Sequence, residues 1–288
     1  QHSMAIVIPG ATGQLGTLVI DSLIERGAAP TEIVAGGRNA ERLEQLAAKG
    51  VRTATIDYSR PETAAAAISA GDTVVLISGS EVGTRVAQHE TVINAAKAAG
   101  AARIVYTSVL GGDPDALILA PEHVATESLI RESGLPATIA RNGWYTENYV
   151  ADIAQGETTG VIANSAGKGR VASATRADYA AGIAALALED GHEGKVYEFS
   201  GDEAWDFDEF AATLAEAIGR DVEYRALTTE EHAAALTSNG LDEGTIGFIT
   251  GLDTNIRDGA LALLTGDLSR VSGRPTTPLA ETLRTLTA

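Results

Sequence analysis

Three glycines, Gly10, Gly13 and Gly16, stand where a short apolar run (residues 5–8) gives way to Leu15, Leu18, Val19, Leu23 and Ile24. Apolar residues spaced three or four apart read as a helix, so the stretch reads as strand, turn and helix. The first N–H groups of such a helix have no partner within it, and its dipole favours negative charge. A turn of this kind holds an anion, and the glycines suit a dinucleotide. Gly10 permits the tight turn, Gly13 lets the backbone approach a pyrophosphate, and Gly16 lets the helix pack close on the strand. Thr12, Gln14 and Leu15 complete the phosphate loop. Pro9 removes one backbone donor at the strand's end, which a terminal position tolerates.

The cofactor is chosen further on. An NAD site usually offers a carboxylate about 20 residues past the glycines, for the ribose 2′-OH. Here the second strand runs into Gly36-Gly37-Arg38-Asn39 with no acid nearby. Arg38, with Arg42 one helical turn on, is placed to meet a 2′-phosphate, so NADP (NADPH) is the expected cofactor and NAD the alternative. Asp57 and Tyr58 close the third strand, where an acid commonly meets the adenine amine, and Ser78-Gly79-Ser80 follow the fourth, on the path to the nicotinamide ribose.

The elements that must position these residues alternate regularly. Strands are expected over residues 5–8, 32–35, 52–56, 73–77, 102–107 and 137–140, with helices over 40–48, 62–69, 82–99 and 122–132 between them. Continuous apolar strands joined by helices imply a parallel sheet covered on both faces. The expected fold is α/β, a Rossmann-type doubly wound parallel sheet with a smaller C-terminal α/β lobe. Residues 4–150 form the NAD(P)-binding domain and 151–288 the lobe, partly interleaved with it. Beyond residue 149 the pattern loosens into a strand over 157–163, a helix over 176–188, a strand over 195–200, a helix over 206–218 and a strand over 222–226. Helices over 230–238 and 244–264 and a short terminal one complete the chain.

Composition narrows the function. The 288 residues carry a formal net charge of −18, which repels nucleic-acid phosphates. No cysteine is present, which removes disulfides, thiolate catalysis and cysteine metal sites. No apolar run is long enough to span a membrane, and the short N-terminal run leads directly into glycines rather than a cleavage site. The three residues before Met4 are read as non-native. The expectation is a cytoplasmic protein, monomer or homodimer, that contacts neither nucleic acid nor membrane.

Four stretches carry a resemblance: residues 10–16, Ser78-Gly79-Ser80-Glu81-Val82-Gly83, Arg141-Asn142-Gly143-Trp144-Tyr145-Thr146-Glu147-Asn148-Tyr149, and Ala174-Thr175-Arg176-Ala177-Asp178-Tyr179-Ala180. In this order and spacing the chain resembles the NmrA-like atypical short-chain dehydrogenases, among them the bacterial type 2 quinone reductases and the triphenylmethane reductases. The G-x-x-G-x-x-G spacing belongs to the extended and atypical branches of that superfamily, whose members usually carry Thr where Pro9 stands. The resemblance implies that residues 141–148 border the nicotinamide and the substrate. Arg141 then faces the cofactor, Asn142, Tyr145 and Asn148 donate toward an acceptor oxygen, and Trp144 and Tyr149 offer flat faces to an aromatic ring. Arg176 and Asp178 are read as a structural pair.

The superfamily's usual tyrosine, activated by a lysine four residues later, is missing, because no lysine lies between Lys97 and Lys168. His123 and Glu127 occupy the equivalent helix. A quinone or cationic dye accepts hydride readily and yields a weakly basic oxygen, so orientation does most of the work. His123 is then a candidate proton donor. The expected partner is a small aromatic substrate such as a quinone. Tailoring of an aromatic polyketide-like natural product, and redox sensing without turnover, are the competing readings.

Overall fold

The computed structural model describes residues 4–288; the three residues read as non-native lie outside them. In chain order the first half contains β1 (Ile6–Ile8), α1 (Gln14–Glu25), β2 (Ile33–Gly37), α2 (Ala40–Ala47), β3 (Arg52–Thr55), α3 (Pro61–Ala67), β4 (Thr73–Leu76), α4 (Arg85–Ala99), β5 (Arg103–Val109), α5 (Ala120–Ser133) and β6 (Ala137–Asn142). The second half contains α6 (Val150–Thr159), β7 (Val161–Asn164), α7 (Arg176–Leu188), β8 (Val196–Phe199), α8 (Phe207–Ile218), β9 (Glu223–Ala226), α9 (Thr229–Ser238), α10 (Glu243–Arg257), α11 (Asp267–Ser272) and α12 (Leu279–Thr287).

Seven strands form one sheet in the order β3-β2-β1-β4-β5-β6-β8, and every pairing in it is parallel. Each crossover helix returns the chain to the same edge, so all strand C-termini face one way. The order reverses between β1 and β4, which opens a crevice beyond their C-terminal ends. The central strands are buried on both faces, with Val7, Ile8, Val74 and Val75 fully enclosed. On one face α1 and α7 pack through Val19, Ile20 and Leu23 against Ala180, Ile183, Ala184 and Ala187. The alanines of α7 have short side chains, which lets the two helices approach closely. The other face is covered by α4 and α5 over Leu76, Ile104 and Tyr106.

A second layer holds a smaller core of Tyr149, Trp205, Phe207, Phe210, Leu214 and Leu283 beside the two-stranded parallel sheet β7-β9. The helix α7 and strand β8 belong to the large sheet although both lie past residue 150. Three local readings are corrected. Residues 157–159 end α6 rather than opening a strand, because the helix stops only at Gly160, whose φ of 74° suits glycine. The long helix expected over 244–264 stops at Arg257, two residues before Gly259 at φ 94°. The short helix α11 was not foreseen.

Candidate active site

A cleft of about 570 Å³ runs along the C-terminal edge of β1, β2 and β4. Gly10, Thr12, Gly13, Gln14, Leu15 and Gly16 form its floor. The N-terminus of α1 points into it, with no side-chain cap on Gly13 and no acid in the first turn. Such donors, open to a cleft that also carries arginines, fit a diphosphate. The space around each glycine agrees with the duties expected of Gly13 and Gly16. A Cβ on Gly16 would sit 2.5 Å from the Gly10 carbonyl and 2.7 Å from Ala11 Cα, so this position tolerates nothing larger. On Gly13 the nearest atom would be 3.9 Å away, and on Gly10 3.6 Å. Neither of those two has a positive φ, so the protein leaves room there that a ligand can use. Gly37 is a further close approach, 2.5 Å from Thr12 Cγ2 for an added Cβ.

At one end of the cleft stand Arg38, Arg42 and Tyr58. Arg42 Nη1 donates to the Thr12 carbonyl at 3.3 Å, which ties the first turn of α2 to the phosphate turn. Burial pushes the Tyr58 hydroxyl up to about 12, so it stays protonated as a donor. Asp57 does not line the cleft. Its carboxylate accepts from the Ser59 hydroxyl at 2.7 Å and the Ser59 N–H at 2.9 Å, bonds that lower its pKa and close the turn before α3.

Ser78, Gly79 and Ser80 line the opposite wall, held from behind by residues not foreseen. The Ser78 N–H donates to Thr107 Oγ1 at 2.8 Å, and the Gly79 N–H to His89 Nε2 at 3.0 Å. Arg85 Nη1 reaches the Gly79 carbonyl at 3.3 Å and its Nε lies 3.4 Å from Glu122. The Thr126 hydroxyl donates to the Glu122 carbonyl, so it accepts from His89 Nδ1 at 2.9 Å. The network thus assigns His89 as neutral, protonated on Nδ1. Burial, with Arg85 nearby, pushes its pKa down to about 4.

The expected catalytic group separates. Tyr145 lines the cleft, with the Arg176 guanidinium 5.3 Å from its ring centroid. Burial raises its pKa, and the neighbouring Asn142 amide and Arg176 offset this only in part. Asn142 is 5% exposed, and neither atom of its amide has a hydrogen-bond partner. Asn148 is exposed on the short turn after β6 and lies off the cleft wall.

His123 lies away from the cleft, 6% exposed, with Nδ1 2.7 Å from the Tyr106 hydroxyl. Burial pushes its pKa down to about 3, so a neutral, enclosed imidazole replaces the surface proton donor expected. Arg141 is also off the cleft. Its guanidinium bridges Glu127 at 2.8 Å and Glu198 at 2.9 Å, clamping α5 and β8 to β6. Tyr149 packs edge-on to Trp205 and Phe207 at ring distances of 5.2 and 5.5 Å, and Trp144 borders the same core. Their faces therefore serve the lobe. Arg176 is free of Asp178, which instead closes a capping box with Thr175 at the start of α7. That Thr-x-x-Asp spacing was readable as a cap. Arg85 and His89 carried no local signal.

Among the described residues no cluster of acids and histidines is arranged to hold a metal. A family model described as NAD(P)H-binding matches residues 10–190. Quinone oxidoreductase 2 of Escherichia coli (strain K12) is 45% identical over 278 residues, which cover 96% of this chain and 97% of that one. A crystal structure of an NADPH-dependent quinone oxidoreductase from Escherichia coli, complexed with NADPH, superposes with a TM-score of 0.93 at 45% identity, covering 98% of this chain and 100% of that chain. The triphenylmethane reductase of Citrobacter sp. complexed with NADP(H) follows at 0.91 and 34% identity, covering 98% and 100%.

Proposed function

Because the chain belongs to the NAD(P)H-binding family, in its NmrA-like branch, we propose that it is an NADPH-dependent reductase of quinones or similar flat, electron-poor aromatics. The observation that carries the reading is the uncapped α1 N-terminus facing a cleft with arginines at one end and a lysine-free tyrosine at the other. The cofactor, when bound, supplies a hydride. The protein's part is placement. Arg38 and Arg42 meet the 2′-phosphate as charge-assisted donors, and the first turn of α1 meets the diphosphate. The pinned loop at Ser78 to Ser80 fixes the opposite wall.

At the far end Tyr145 brings a protonated hydroxyl to the cleft, with the unpartnered Asn142 amide buried beside it. These groups orient an acceptor oxygen and hydrogen-bond the charge that develops on it. Neither is tuned to release a proton at neutral pH, which suits an acceptor whose reduced oxygen is weakly basic and takes its proton from water. A ketone would need the acid that this site lacks.

The test follows loss of NADPH absorbance with a panel of quinones, triarylmethane dyes and simple ketones. Turnover of the first two without the ketones is the expected result. Saturable NADPH binding with no turnover on any acceptor would favour a sensor and overturn the reductase.

A further inference from the structure

One acid lies inside the end of the cleft that the arginines mark. Glu81 follows the pinned loop after β4, and its carboxylate reaches across the mouth to Arg38 Nη2 at 3.6 Å. Both residues line the cleft, on opposite walls. The carboxylate is not a free rotor. Gln88 Nε2 donates to its Oε2 at 3.1 Å and the Thr84 hydroxyl at 3.3 Å, so α4 aims it at the arginine. Arg38 makes no other ion pair among the described residues, whereas Arg42 is bonded to the Thr12 carbonyl. The guanidinium assigned to the 2′-phosphate is thus already engaged by an internal competitor.

Resting on the reading of this cleft as an NADPH site, we propose that Glu81 is a specificity-determining latch. It holds Arg38 across the mouth and must surrender it to the 2′-phosphate when NADPH enters. A phosphate dianion offers more charge and more acceptor oxygens than a carboxylate, so it takes the guanidinium. A ribose 2′-OH cannot make that exchange, and NADH binds with the latch still closed. Glu81 therefore weakens NADPH binding relative to an unlatched site and leaves NADH unaffected. The freed carboxylate stays with Gln88 and Thr84, ready to retake Arg38 as the oxidised cofactor leaves.

The test is a double-mutant cycle on the intact protein, with NADPH and NADH titrated separately against each variant. An exposed pair of this kind is worth about a two- to fivefold change, so Glu81→Gln should tighten NADPH by about that factor and leave NADH unchanged. In the Arg38→Ala background the same substitution should do nothing, because there is no arginine left to release. A gain that persists without Arg38 would show plain repulsion between carboxylate and phosphate and overturn the latch, as would equal gains for both cofactors. A wild-type protein that takes up neither cofactor would overturn both the latch and the cofactor reading. Wild-type NADPH binding with no response to Glu81→Gln would sink the latch alone.

Discussion

Two side chains carry opposite signatures of a site. Arg38 is exposed, with one weak partner, and its proposed role is to meet a charged ligand. Arg38→Ala should weaken NADPH by about 1–3 kcal/mol, the range for a charge-assisted bond, and NADH much less. Equal losses in the two titrations would remove it as the selector. Asn142 is the reverse case, buried with both amide atoms unpaired. An orphaned buried polar group costs about 1–3 kcal/mol, and a native fold that keeps one has a use for it. Asn142→Val is only modestly larger, suits a position in β6 and leaves no orphan. It should therefore hold or raise the melting temperature of the free protein while cutting kcat with quinones. A loss of stability together with unchanged turnover would make the amide structural. Both residues were marked from the sequence, but only the structure separates Asn142, buried beside the cleft-lining Tyr145, from Asn148, six residues on and exposed.

Helix α1 was legible because its signals are local: glycines at fixed spacing and an apolar stripe within 20 residues of one another. Its two inner glycines should now behave differently. Gly13→Val puts a side chain into the cleft, where a Cβ meets nothing nearer than 3.9 Å, so the protein folds and loses its cofactor. Gly16→Val drives a side chain into the Ala11 backbone and should cost about 1–3 kcal/mol or more in denaturant unfolding. Similar stability for both variants would contradict this division. The paired helices α4 and α5 were legible only as elements. What they do for the site depends on partners far apart in sequence, such as His89 to Thr126 and Arg141 to Glu198. Such pairs leave no periodicity. They do leave a pH signature. An unfolded histidine binds a proton below about 6.5, whereas His89 does so only near 4 and His123 near 3. Stability from the neutral pair is complete above 6.5 and declines as pH falls toward those values, by about 1.4 kcal/mol per pH unit for each histidine. Asp152, which burial and Asp253 push up to about 6, acts in the opposite direction below that pH. Comparing the wild type with His89→Gln isolates the histidine: the variant should show the shallower loss of stability through that window, and identical slopes would mean that His89 is already charged in the fold.

At the scale of the molecule, the chain crosses repeatedly between its two layers. After β6 it enters the lobe through α6 and β7, returns for α7 and β8, and leaves again for α8 and β9. Sequence pattern located the loosening near residue 149 and an interleaved lobe but not which elements return, because a strand that joins a distant sheet looks like one that joins a near one. The seams are specific. Tyr145 bridges Ala174, the Thr146 and Ser173 hydroxyls meet at 2.8 Å, and Trp205 Nε1 donates to that same Ser173 oxygen at 2.8 Å. Asp178, which caps α7, also accepts from the N–H and hydroxyl of Thr277 just before α12. Separable domains meet through few contacts at a single linker, and this arrangement offers no such boundary. The layers should therefore unfold as one unit. Both tryptophans, Trp144 and Trp205, lie in or against the lobe's core, whereas far-UV circular dichroism reports every helix. Denaturation followed by the two signals should give superimposable transitions. The proposed NADPH cleft lies in the other layer, yet at a hundredfold excess over its Kd the cofactor should raise both midpoints together, through about 2.7 kcal/mol of linkage. A fluorescence transition that precedes the dichroism change, or that ignores the cofactor, would show the lobe melting on its own.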